Sequence, residues 1–138
     1  MEIRKLSESE FEQVKLAAKG MALDTTNLIN NQFIGAFSSC GLAGFVRVKT
    51  TGKFSELATL GVIKEFRNQG VSSLMVNHLK TKYSEIHLVT VIPMHFEKLG
   101  FKKLEEVPKE MVAKFENAAY WHGYGDPVVM KWGQTQVS

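Results

Sequence analysis

Arg67-x-x-Gly70-x-Ser72 brings together a fixed cation, a glycine and a small hydroxyl residue. It follows an apolar run that ends at Ile63 and opens an amphipathic segment starting at Val71. A strand that breaks through a small-residue turn into a helix leaves the first backbone N–H groups of that helix unpaired. Those donors and the positive end of the helix dipole make an anion site. Gly70 permits close backbone approach and a positive φ. Arg67 adds a charge-assisted contact to phosphate. The predicted chemistry is therefore the holding of a phosphorylated cofactor. Metal and covalent chemistry have no comparable signal. The four histidines and one cysteine show no zinc-ligand spacing. Cys40 falls in a predicted turn with no adjacent base, which argues against a nucleophile.

The elements that must position this turn alternate between strand and helix. Met1 to Leu6 alternates apolar and polar residues and reads as a strand. Ser7-x-x-Glu10 is a capping-box pattern, and Phe11, Val14 and Ala18 share the face of the helix it starts. Gly20 ends that helix, and a further helical turn is expected around Leu28. Phe33 to Phe37 and Leu42 to Val48 form a predicted hairpin through Gly41. After a turn at Thr50 to Lys53, Phe54 to Ile63 is the next strand. Val71, Leu74, Met75, His78 and Leu79 then share a helical face. His87 to Ile92 reads as a buried, parallel-type strand. Pro93 starts a short helix that Gly100 stops. Phe101 to Val107 is a predicted strand, Pro108 to Phe115 a helix, Asn117 to Pro127 a loop, and Val128 to Trp132 a last strand. The predicted fold is α/β, a mixed central sheet flanked by helices in one domain over residues 1–133. Residues 134–138 are expected to form a flexible tail. The crossover through Val71 to Tyr83 is expected to be right-handed.

The chain has 138 residues, of which 44% are apolar and 22% charged, the balance of a globular domain with a real core. No apolar run approaches the roughly 20 residues of a membrane span. The first residues lack the apolar core of a signal peptide. With a single cysteine no intrachain disulfide forms, and a cytoplasmic location is expected. The net charge of +3 suits an anionic cofactor and is too small to argue for nucleic acid.

The turn, the element order and a second block together resemble the GNAT superfamily of N-acetyltransferases. Leu60 to Ser72 is similar to the acetyl-CoA motif Arg/Gln-x-x-Gly-x-Gly/Ala. His95-Phe96-Glu97-Lys98-Leu99-Gly100-Phe101 is similar to the family's Phe-Tyr-Glu-Lys-Leu-Gly-Phe block. More loosely, Asp24 to Phe33, Gly44 to Arg47 and Glu56 to Leu60 resemble a bacterial branch akin to amino-acid N-acetyltransferases. The resemblance implies acetyl-CoA as cosubstrate and no metal. The N–H groups of Gln69, Gly70, Val71, Ser72 and Ser73 would hold the pyrophosphate, with Arg67 and Asn68 beside them. The strand carrying Leu60, Val62 and Ile63 would splay from His87 to Ile92 and pair with the pantetheine arm near Val62. Backbone donors near Leu60 to Val62 would face the thioester carbonyl, and Phe96 would pack on the cofactor. Glu56 stands where family members often keep a carboxylate base that works through water.

Two departures qualify the resemblance. Ser72 replaces the usual glycine or alanine. Phe96 replaces the tyrosine often assigned as the acid for the departing thiolate, worth about 10²–10⁴-fold where it acts. A thiol with a pKa of about 8.5 leaves tolerably without one; water, His95 or Tyr124 are the other proton sources. The implied reaction is acetyl transfer to a primary amine of a small molecule, an amino acid among the candidates, by direct attack in a ternary complex. A non-catalytic acyl-CoA-binding module and a protein N-acetyltransferase are the alternatives. Expected partners are the small-molecule amine and, as often in the family, a second copy in a homodimer; neither nucleic acid nor membrane is expected. Tyr120, Trp121, His122 and Tyr124 form an aromatic loop that either lines an acceptor pocket or covers the core edge.

Overall fold

The computed structural model describes residues 1–21, 23, 25, 27–117 and 125–133. Asp24, the aromatic loop at Tyr120, Trp121, His122 and Tyr124, and the expected tail at 134–138 lie outside the described residues.

Strand β1 (Glu2–Lys5) leads into helix α1 (Glu8–Lys19). The predicted capping box is formed: Ser7 Oγ accepts the Glu10 N–H at 3.2 Å, and Glu10 Oε1 accepts the Ser7 N–H at 2.8 Å. Gly20 caps the helix end. The helical turn expected around Leu28 falls slightly later, at Asn30–Gln32. Then come β2 (Phe33–Ser38), β3 (Gly41–Thr51) and β4 (Phe54–Val62). A 3₁₀ turn at Lys64–Phe66 precedes helix α2 (Val71–Lys80). Strand β5 (Glu85–Thr90), helix α3 (Pro93–Glu97) and strand β6 (Lys102–Lys103) follow. A 3₁₀ turn at Lys109–Met111, helix α4 (Val112–Asn117) and strand β7 (Val128–Gly133) complete the described chain.

The sheet has seven strands in the order β1-β2-β3-β4-β5-β7-β6. It is mixed, as predicted: β1–β2, β2–β3, β5–β7 and β6–β7 run antiparallel, whereas β4 and β5 pair in parallel with Glu56 opposite His87.

Two compact parts make up the chain: Met1–Lys49 with Leu57–Lys82, and Thr50–Glu56 with the residues from Tyr83 onward. In the first, Leu6, Val14, Ala18, Phe33, Phe37 and Phe45 form a buried cluster, with Phe11 packed against it. Two glycines seat the elements of this part. A Cβ on Gly44 would come within 2.9 Å of Val71 and Met75 on α2, and one on Gly61 within 2.4 Å of the Phe45 ring. In the second part, Val89, Met111 and Val129 form the core, joined by Phe54, Leu104, Val107 and Phe115.

Four further expectations shift. The buried stripe of α2 is Val71, Met75, Val76 and Leu79, while Leu74 is exposed. Spacing i, i+4, i+5, i+8 is still one helical face, rotated away from Leu74. β5 starts at Glu85 and ends at Thr90, because Thr90 Oγ1 takes the Ile92 N–H at 3.0 Å and turns the chain. Phe101 to Val107 contributes only Lys102–Lys103 as strand; Leu104 still donates to Val129 C=O, after which Glu105 and Glu106 turn to solvent. The segment from Pro108 is a 3₁₀ turn running into α4 and ending at Asn117.

Candidate functional site

The turn ahead of α2 is built from the end of β4. Ile63 N–H donates to Ala43 C=O at 2.8 Å, so Ile63 spends its amide on β3. Backbone polarity alternates along a strand, so the N–H and C=O of Val62 point away from β3. Arg67 Nε donates to that Val62 C=O at 3.2 Å. The turn is tightened by Phe66 N–H to Ile63 C=O at 2.8 Å and by Gln69 Nε2 to Glu65 C=O at 3.1 Å.

Two residues then adopt the left-handed region, Asn68 at φ 64° and Gly70 at φ 78°. Glycine takes this conformation freely, and asparagine is among the side chains that tolerate it. Gly70 is the N-cap of α2, and no side chain among the described residues caps that end. The Leu74 N–H to Gly70 C=O bond at 3.0 Å closes the first helical turn. The N–H groups of Val71, Ser72 and Ser73 therefore lie within the orphan set of the first turn. No acidic residue sits there to compete for them. Arg67, Asn68, Gln69 and Gly70 are all exposed. The result is an exposed helix start that combines backbone donors, the positive end of the helix dipole and one guanidinium. It contains Arg67, Asn68, Gln69, Gly70, Val71, Ser72 and Ser73 as the sequence grouped them. The left-handed Asn68 was not anticipated, although an Asn two residues before a glycine in a predicted turn was a usable signal.

The second part of the chain holds the other chemistry-bearing side chains. Glu56 is half-buried in β4, and its Oε2 is held by Lys114 Nζ from α4; the side chains are 12% and 18% exposed. His87, opposite Glu56 on β5, is buried and stacks on Phe54 with centroids 4.3 Å apart. Burial, then the charge of Lys131, hold its imidazole below its ordinary pKa. On α3, the His95 ring meets Phe96 edge-on at 5.1 Å, and Phe96 meets Phe101 edge-on at 5.8 Å. Phe96 is 6% exposed, so it is a packing residue of this part. Burial, and then Lys98, lower the His95 pKa as well. A neutral imidazole is favoured there, and it accepts a proton more readily than it donates one.

Sequence reasoning missed Lys114 altogether and left His87 without a role. A lysine between Met111 and Phe115 on a short apolar helix carries no motif. The Glu56–His87 pairing depends on strand register.

No protein-family model matches the chain, and no curated protein matches it. Solved structures do. Rv2747 from Mycobacterium tuberculosis, in complex with CoA, superposes with a TM-score of 0.78 at 17% identity, over 98% of this chain and 100% of that one. An aminoglycoside 6'-N-acetyltransferase complexed with coenzyme A gives 0.71 at 14% identity over 100% of both chains. N-acetylglutamate synthase from Neisseria gonorrhoeae, complexed with coenzyme A and N-acetyl-glutamate, gives 0.73 at 15% identity; 98% of this chain is covered, against 35% of that larger chain. The mixed sheet, with its parallel β4–β5 pair and a helix opening at Gly70, is the GNAT acetyltransferase fold.

Proposed function

We propose that the chain transfers an acetyl group from acetyl-CoA to a primary amine of a small molecule. The observation that carries this reading is the open N-terminus of α2. Its cap Gly70 is left-handed, no side chain covers it, and the first-turn N–H groups face a position suited to a pyrophosphate. Solved structures of the same fold that carry CoA support the choice of phosphorylated ligand. One of them is an N-acetylglutamate synthase and another an aminoglycoside 6'-N-acetyltransferase, and both names describe acetyl groups carried on nitrogen. Fold alone does not select between such acceptors.

In this reading the pyrophosphate lies on the amides from Gln69 to Ser73, and Arg67 adds charge. The pantetheine amide pairs with the outward backbone of Val62, and the amide near Leu60 supports the developing oxyanion. A neutral amine attacks the thioester carbonyl. A C–N bond forms, the C–S bond breaks and the thiolate leaves. Glu56 takes the ammonium proton through water before attack. As the C–S bond breaks, the attacking nitrogen gives its surplus proton to water, and water returns one to the thiolate, because Phe96 has no proton to give and burial favours neutral His95. An α-amino group, with a pKa of about 7.7–8.0, is partly neutral near pH 7 and suits this arrangement.

A second reading, a non-catalytic acyl-CoA-binding module, draws on two observations: the apolar Phe96 and the engagement of Glu56 by Lys114. The test has two stages. CoA should raise the melting temperature, since a ligand of the folded state stabilises it by mass action. No shift at millimolar CoA, with calorimetry also silent, overturns both readings. Acetyl-CoA consumption across a panel of amino acids and polyamines then separates them: turnover supports the transferase, and binding without turnover of any amine supports the module.

A further inference from the structure

Glu56 on β4 and Lys114 on α4 form a direct ion pair, with side chains 12% and 18% exposed. Taking one partner away from a pair at that depth leaves an uncompensated charge, which is costly. A ligand that engages Glu56 must therefore answer the charge of Lys114 as well. The spacing of the two charges does not depend on the pair. Phe54, on the same face of β4 as Glu56, packs against the core cluster of Val89, Met111 and Val129. Phe115, next to Lys114, packs against that cluster too, and Met111, one helical turn before Lys114, is fully buried. The apolar core thus fixes the strand and the helix that carry the charges, and the two stay within a side chain's reach when a ligand parts them.

Charge balance decides what fits. The charges of Glu56 and Lys114 cancel. A simple amine brings an ammonium to Glu56 and sets a second positive charge beside Lys114, and a diamine adds a third. A zwitterion brings an ammonium to Glu56 and a carboxylate to Lys114. Every charge then keeps an opposite partner, through the charge-assisted hydrogen bonds that are the strong ones. A water between Glu56 and the ammonium leaves that balance unchanged. The two protein charges touch, so the two ligand charges must also lie close together. The single carbon between the charged groups of an α-amino acid meets that condition.

We propose that Glu56 and Lys114 form a subsite for the zwitterionic end of an α-amino acid, Glu56 facing its ammonium and Lys114 its carboxylate, in exchange for the ion pair between them. Lys114 is then the residue that selects amino acids over other amines. That the bound amino acid is acetylated rests on the transferase reading; its binding does not.

The test is calorimetric binding to the full chain without cofactor. It is run at about pH 6, where an α-amino group of pKa about 7.7–8.0 is protonated. The probes are glycine, L-alanine, L-leucine, L-glutamate and L-arginine, each beside its α-amide, which lacks the carboxylate. 6-Aminohexanoate, whose charges lie far apart, is the spacing control. At least one amino acid is expected to bind, at least about tenfold more tightly than its amide, the scale of one hydrogen bond to a charged group. 6-Aminohexanoate should bind no better than the amide. Lys114→Met should bring that amino acid and its amide level, whereas Lys114→Arg, which keeps the charge, should retain the preference. If Lys114→Met does not fold, Lys114→Gln takes its place, and the wild-type comparisons need no variant. Three results overturn the subsite: no amino acid binds, the amide or 6-aminohexanoate binds as tightly, or the preference survives loss of the Lys114 charge. CoA-induced melting shifts keep the two claims apart. A preference for the amino acid without a CoA shift retains the subsite and removes the transferase. A CoA shift and amine turnover, with amino acid and amide bound alike, do the reverse.

Discussion

The turn ahead of α2 and the cluster around Glu56 work by different means. The turn presents backbone, consecutive amides set by left-handed residues at positions 68 and 70. The second region is held by side chains drawn from three separate segments, Phe54–Glu56, His87 and Lys114, through an ion pair and a ring stack. A backbone site tolerates side-chain change and fails when φ is denied. A side-chain cluster tolerates backbone context and fails when one partner is removed.

The sharpest way to break this contrast is Gly70→Val. At φ 78° no atom of the described residues beyond the glycine and its chain neighbours lies within 4 Å of the added Cβ, so the loss comes from conformation and from crowding the ligand. A non-glycine in such a region costs about 1–3 kcal/mol, more for a β-branched residue. CoA affinity measured by calorimetry should fall at least about tenfold, a step of about 1.4 kcal/mol. Arg67→Ala, which leaves every amide in place, should fall by less. Wild-type CoA affinity in Gly70→Val means that the phosphates bind elsewhere.

Gly61→Ala tests the support of that turn. The new Cβ would stand 2.4 Å from the buried Phe45 ring, which must move. Overpacking of this kind costs about 1–3 kcal/mol. Urea unfolding should report it as a lower midpoint at constant slope; an unchanged midpoint shows that the ring relaxes freely.

The side-chain region should respond to pH instead. Burial holds both His87 and His95 below the ordinary imidazole value of 6.5. The unfolded chain titrates near that value, so on acidification it takes up protons that the folded chain resists. The stability from these rings is present above about pH 6.5 and falls as pH drops toward the folded pKa values. His87→Phe should flatten the stability profile between pH 7 and 5, after any constant offset. A profile as steep as the wild type's assigns the dependence to other groups.

The smallest effect is expected at Phe96. Phe96→Tyr keeps the ring and its edge contacts to His95 and Phe101. CoA affinity should stay close to the wild type, and turnover should hold or rise, since a phenol of pKa about 10 can donate to a departing thiolate. A steep loss of turnover with CoA binding intact shows that the apolar ring is required and that the thiol leaves elsewhere.

The sequence by itself determined what local chemistry encodes. Ser7 and Glu10 specify the start of α1 because the capping box closes within four residues. Arg67-x-x-Gly70 specifies the turn that opens α2 because its conformation needs only a residue that accepts positive φ. Pro93 and Gly100 bracket α3 for the same kind of reason, a fixed φ at one end and a left-handed stop at the other. The tertiary structure alone decided the rest. The two strand residues left from the Phe101 to Val107 run depend on where β7 ends its pairing. The close approach of Gly44 to α2 depends on the packing of residues distant in sequence. The ion pair of Glu56 with Lys114 and the stack of His87 on Phe54 exist only because strand register and the packing of α4 bring distant residues together, and such pairing leaves no mark in the spacing of residues along the chain.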